Sequence, residues 1–112
     1  MTKRSSPVVL PGAPTDLVAV AIGGCQVILA WTECGAGGFG SRIERADGKG
    51  PCRSFVEIGG VGPHVTAFND GSVKPRTTYS YRVHARNTSG DSSPSNVVEL
   101  TTPEDETELP AD

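Results

Sequence analysis

Residues 73–90 read VKPRTTYSYRVHARNTSG, and from Tyr79 onward they alternate strictly between two kinds of side chain. Tyr79, Tyr81, Val83 and Ala85 fall on one side, while Ser80, Arg82, His84 and Arg86 fall on the other. A period of two belongs to extended backbone and cannot form the apolar stripe of a helix. The segment therefore predicts a long strand with one face on a core. Both tyrosines of the chain lie on that apolar face, just beyond Pro75. They are expected to be structural and not an exposed aromatic patch.

The rest of the chain repeats this pattern in shorter pieces. Fourteen glycines and nine prolines divide its 112 residues into short segments, as expected for many strands joined by turns. Residues 15–22, TDLVAVAI, are apolar on both faces, which predicts a strand covered on both sides. Gly23-Gly24 turns the chain, and in CQVILAW the residues Cys25, Val27, Leu29 and Trp31 share a face. FGSRIERADG puts Phe39, Ser41 and Ile43 opposite Arg42 and Glu44, and ends in the turn dipeptide Asp47-Gly48. SFVEIGGV, HVTAF and NVVELTT supply three more strands, the last stopped by Pro103. Seven strands at regular spacing predict an all-β, seven-stranded antiparallel Greek-key sandwich of immunoglobulin-like form.

Specific residues sharpen this expectation. Val73, Pro75 and Tyr79 occupy the positions of a Leu-x-Pro-x-x-x-Tyr corner. APTDL precedes the first strand, Trp31 closes the second, and AFND closes the fifth. Together with RIERADG, YRVHARNTSG and SNVVELTTP, these elements resemble a fibronectin type III domain over about residues 13–103, of the kind common in bacterial surface proteins and carbohydrate-active enzymes. Residues 1–12 are then an extended lead-in and residues 104–112 an acidic tail. The resemblance implies a core containing Leu29, Trp31, Ile43, Phe68, Tyr79, Tyr81 and Val83. The family's aromatic before the Ile of the third strand is replaced by Ser41; Phe39 is expected to fill its volume. The corner also has a physical basis. A chain crossing between sheets leaves backbone groups without ladder partners, and a buried tyrosine can supply one through its hydroxyl.

The chemistry-bearing residues do not assemble into a site by spacing. Cys25, Cys34 and Cys52 lack CxxC spacing, so zinc is not expected. Cys25, in phase with Trp31, is read as a buried apolar residue, with a Cys25–Cys52 bridge as the alternative. His64 and His84 have no Cys, Asp or Glu at ligand spacing. No GxSxG nucleophile elbow and no glycine-rich phosphate loop occurs. Glu33, Glu44 and Glu57 offer no obvious carboxylate pair, and a small sandwich has a filled interior. Neither an enzyme nor a cofactor site is expected.

Charge bounds the partners. The formal net charge is −3, but Glu104, Asp105, Glu106, Glu108 and Asp112 lie in the tail. With those five of the thirteen acidic residues set aside, ten basic side chains face eight acidic ones. No concentrated basic face exists for nucleic acid, and no apolar run is long enough for membrane insertion or a secretory signal. Arg42, Arg82, His84 and Arg86 form the candidate interaction face. It reads either as a solvated face of cross-strand charge pairs or as a dock for an acidic or planar polar partner. Asn87-Thr88-Ser89 fits an N-glycosylation sequon.

Two functions fit these residues. The first is a non-catalytic interaction or spacer module whose partner is a protein or glycan surface, extracellular if it belongs to a larger secreted protein. The second is a stand-alone structural subunit, for example a decoration protein on a virus particle. The isolated domain is expected to be monomeric unless it assembles on such a particle.

Overall fold

The computed structural model describes residues 10–34, 39–48 and 53–104. Among them are eight strands: β1 (Thr15–Ala21), β2 (Val27–Thr32), β3 (Gly40–Asp47), β4 (Val56–Val61), β5 (Ala67–Asp70), β6 (Thr78–Asn87), β7 (Gly90–Asp91) and β8 (Val98–Thr101). One antiparallel sheet has the order β1-β2-β5. The other runs β4-β3-β6-β7, with β8 also paired to β6. This is a two-sheet antiparallel sandwich. The eighth strand arises because β7 is a two-residue hairpin return, with Asn87 opposite Gly90, inside what the sequence presents as a loop.

The alternation of β6 does what its period requires. Tyr79, Tyr81 and Val83 are buried against Leu17, Val27, Leu29, Trp31, Ile43 and Val73, and Phe68 packs against that cluster from the half-buried zone. Tyr79 and Tyr81 meet with ring centroids 6.4 Å apart. At the β5–β6 crossing, the Lys74 backbone N–H donates to the Tyr79 hydroxyl at 2.9 Å. Thr102 reinforces the same crossing, donating through its hydroxyl to the Lys74 carbonyl while its side-chain oxygen accepts from the Thr77 N–H.

Specific contacts join the two sheets at both open sides of the sandwich. On the β1 side, Asn96 imitates a strand: its Oδ1 accepts from Leu17 N–H at 2.9 Å and its Nδ2 donates to Leu17 O at 3.1 Å. On the β4–β5 side, the Phe68 ring lies so close over Gly59 that a Cβ there would sit 2.7 Å from it. Only glycine permits that approach.

Three expectations fail. The first strand is not covered on both faces: β1 is an edge strand, and Val18, Val20 and Ile22 are 54%, 54% and 52% exposed. Apolar composition cannot tell a second covering layer from open solvent. Cys25 is exposed and not buried, because the chain bends over residues 23–25 and the alternating strand begins only at Val27. Phe39 does not fill the volume beside Ser41. Gly40 has φ +143°, which breaks the pleat between them, so Phe39 is 56% exposed while Ser41 is buried. Cys52, the lead-in before Leu10 and the tail beyond Glu104 lie outside the described residues.

Two substitutions test this core. Trp31→Ala should cost about 3–5 kcal/mol by leaving a cavity. Tyr79→Phe should cost about 1–3 kcal/mol by leaving the Lys74 N–H without its acceptor. Both are read from urea denaturation midpoints, and an unchanged midpoint for Tyr79→Phe would remove the corner from the argument.

Candidate functional site

The register of β3 against β6 brings the charged residues together. Arg42 pairs with His84, Glu44 with Arg82 and Gly40 with Arg86. All four residues of the candidate face therefore lie on the outer side of one sheet, across two central strands.

Geometry changes their character. Glu44 is buried, and its carboxylate is the hub. Its Oε1 accepts from Arg82 Nε at 2.6 Å and lies 3.0 Å from His84 Nε2, while its Oε2 accepts from Arg42 Nη1 at 2.6 Å. Arg42 also donates through Nε to Asp91 Oδ2 at 3.0 Å and lies 3.7 Å from Glu57. Arg86 approaches Glu57 at 3.8 Å and Asp91 at 4.0 Å. Each of the three arginines thus faces at least one carboxylate. The guanidinium of Arg82 also lies 4.2 Å over the Phe55 ring, against which Arg53 packs from 5.4 Å. A cation over an aromatic face is a favourable arrangement that orders both side chains.

His84 is buried between two acceptors, the Glu44 carboxylate and the Ser92 carbonyl, the latter 2.8 Å from Nδ1. Each ring nitrogen lies within hydrogen-bond distance of one of them. Ser92 is held in turn: its N–H donates to Ala85 O and its Oγ accepts from Ala85 N–H. Ser95 repeats the device on Val83. Serines thereby occupy the edge of β6 between β8 and β7, where no strand residue pairs. Ser80, on the same outer side, is fully buried and donates to Gly48 O. The outer side of β6 is consequently much less open than its alternation alone implies.

Burial alone would push the Glu44 carboxyl up. The hydrogen bonds from Arg82, Arg42 and His84 outweigh it and hold the carboxyl down at about 2. The face is therefore a lattice of paired charges.

A second polar cluster went unrecognised in the sequence. Asp70, at the end of β5, is buried. Its Oδ1 accepts from the Ser72 N–H at 3.0 Å and the Ser72 hydroxyl at 2.7 Å. Its Oδ2 accepts from Arg45 Nη1 at 3.0 Å and the Tyr81 hydroxyl at 2.7 Å. Burial opposes ionisation of Asp70, but these donors win and its carboxyl is lowered. Tyr81 moves the other way, raised by burial and by the adjacent carboxylate. Arg45 completes the group by lying 4.9 Å over the Tyr79 ring. AFND marks the position of Asp70 in the chain, but no local pattern indicates that Arg45, twenty-five residues earlier, meets it.

The remaining candidates stay separate. His64 faces Glu33 at 3.3 Å on the exposed rim, a contact across thirty-one residues that ligand spacing does not reveal. Cys34 is exposed. Among the described residues no group of three or more His, Cys, Asp or Glu side chains could hold a metal ion. Asn87 Oδ1 accepts from the Ser89 and Gly90 N–H groups, so the sequon forms the tight turn between β6 and β7.

No protein-family model and no curated protein matches the chain by sequence. Solved structures do match. The fibronectin type-III domain of human fibronectin type III domain containing protein 3 is 25% identical, with 92% of this chain and 95% of that chain covered and a TM-score of 0.71. The FN5 domain of Drosophila Lar is 26% identical, with 84% and 98% covered and a TM-score of 0.68. A multidomain segment of titin is 23% identical, with a TM-score of 0.73. The match covers 85% of this chain, which spans 33% of the titin segment's length.

The lattice makes a pH prediction. A carboxyl whose folded value lies below its ordinary 4.5 stabilises the fold above that value and ceases to do so as pH falls through about 2. Stability should therefore fall between about pH 5 and pH 2, with Glu44 contributing on the order of 3 kcal/mol. Asp70, also lowered, adds to the same window. In Glu44→Gln, urea melts across that range should show a shallower slope and a lower midpoint at pH 7. An unchanged slope would deny Glu44 its role as hub.

Proposed function

This chain folds as a fibronectin type III domain, and we propose that it serves as a non-catalytic spacer and interaction module. One observation carries the spacer reading: the polypeptide enters at one pole and leaves at the other. Leu10 lies beside Gly90 at the β6–β7 hairpin, and Gly12 lies against Cys34 beyond the end of β2. At the opposite pole, Arg76 donates to the carbonyls of Thr102 and Pro103, next to the start of β6. The ten residues of β6 separate the poles, about 30 Å at the rise of an extended strand. A unit of this geometry inserted between two neighbours adds a fixed length and keeps them apart.

The candidate face supports this reading through its order. Its charges are already paired, so it can meet a polar protein or glycan surface without leaving bare cations, and it offers no basic stripe to nucleic acid. The second reading is a stand-alone subunit on a larger assembly such as a virus particle. The exposed apolar face of β1 favours it, because such a face gains from being covered.

Fusing the chain between two rigid reporter domains and measuring small-angle X-ray scattering tests the spacer reading. The reporters should be held apart by about 30 Å more than in a direct fusion. Reporters lying side by side would overturn it.

A further inference from the structure

The two outer sheet faces are opposites. The β3–β6 face is a lattice of ion pairs. Among the described residues the β1-β2-β5 face carries none at its centre. Its outward residues form cross-strand rows, Val18–Ala30–Ala67 and Val20–Ile28–Asn69, set by the pairing of β1 with β2 and of β2 with β5. Ile22 extends the β1 edge below them, and Thr32 lies above Ala30 on β2. No charged residue interrupts the rows. Charge appears only at the margin, with Asp16 in the β1 irregularity and the Glu33–His64 pair beyond Thr32. The centre is apolar and the rim polar, which is how association surfaces are built.

We propose that this face is a self-association surface, and that its occupant is the same face of a second copy of the chain. Two observations select that occupant. The first is charge. A partner bearing ionic groups would bury them here without a counter-charge, at a cost, so the partner must be uncharged and apolar over the contact. Of the two sheet faces formed by the described residues, the β1-β2-β5 face meets that condition and the charged β3–β6 face does not. A two-fold axis would lay Val20 and Ile28 of one copy over Ile28 and Val20 of the other, with like surfaces self-complementary as an isologous contact requires. The second is shape. β-Branched side chains on an ordered pleat pack sheet on sheet at about 10 Å.

Area sets the strength. Three strands about 4.8 Å apart, with outward residues about 6.8 Å apart along each, make a patch of roughly 300 Å². Two such patches fall well short of the roughly 1,200 Å² typical of a stable complex. The contact is therefore weak between free molecules, dissociating on the order of a millimolar, and matters when copies are held near one another. Tethering supplies an effective concentration of about that size.

Amide NMR spectra recorded from about 0.05 to 2 mM chain, a range bracketing that dissociation constant, test the proposal. Shifts should move with concentration at Val18, Val20, Ile22, Ile28, Ala30 and Ala67, and fade elsewhere. Val20→Lys and, separately, Val18→Lys should abolish the movement while keeping a native melting transition. Val56→Lys should leave it intact, since Val56 is an apolar residue, even more exposed at 64%, on β4 in the other sheet. Constant spectra over the whole range would overturn the proposal, as would shifts mapping to the β3–β6 face or equal loss in Val56→Lys. Concentration-independent shifts at the face that appear on deleting residues 1–9 would also overturn it, assigning the face to the chain's own N-terminal segment.

Discussion

Everything in this sandwich depends on how the chain crosses from β5 to β6, because that crossing joins the two sheets. Asp70 ends the first sheet and binds Arg45 and Tyr81 of the second. With the two donors from Ser72, all four acceptor positions of its carboxylate are filled. A buried carboxylate is tolerable only under such complete pairing. Tyr79 then captures the Lys74 N–H, so the crossing loop has an internal partner in place of water. The charge, the two tyrosine hydroxyls and the loop backbone solve one problem together. Loss of any member exposes the desolvation cost of the others.

The same logic explains why the outer faces differ. β3 and β6 are the central strands of their sheet, with partners on both sides, so their outward side chains are crowded by neighbours. Long charged side chains placed there can meet one another, and Arg42, Arg82 and His84 converge on Glu44. β1 is an edge strand with short β-branched residues facing out. Among the described residues no ionic group lies at the centre of that side, and its apolar surface is left open. One face is satisfied within the molecule. The other leaves Val18, Val20 and Ile22 exposed.

How far the site was legible follows from these distances. The alternation of Tyr79, Tyr81 and Val83 is a local property, so the inward face of β6 and the corner at Val73, Pro75 and Tyr79 could be read directly. Placing Arg42, Arg82, His84 and Arg86 together needed only adjacent strands. The burial of Glu44 and His84 was not legible, because it depends on a contact between residues forty apart and on the Ser92 carbonyl folding back over β6. Cys25 and Phe39 misled for a related reason. Alternation was extended through Gly23-Gly24 and Gly40, where the backbone leaves the pleat and the phase no longer holds.

Residue order by itself determined the period-two strands, their turns and the crossing that makes a two-sheet Greek-key fold, since these arise from neighbours along the chain and from one proline–tyrosine corner. Tertiary structure alone decided which faces are covered. Period two reports that residues share a face, but covering that face requires a partner strand, loop or molecule distant in sequence. For that reason the apolar run of β1 reads as buried in the sequence and lies open in the fold. For the same reason a charged run that alternation alone places outward forms a half-buried lattice around one carboxylate.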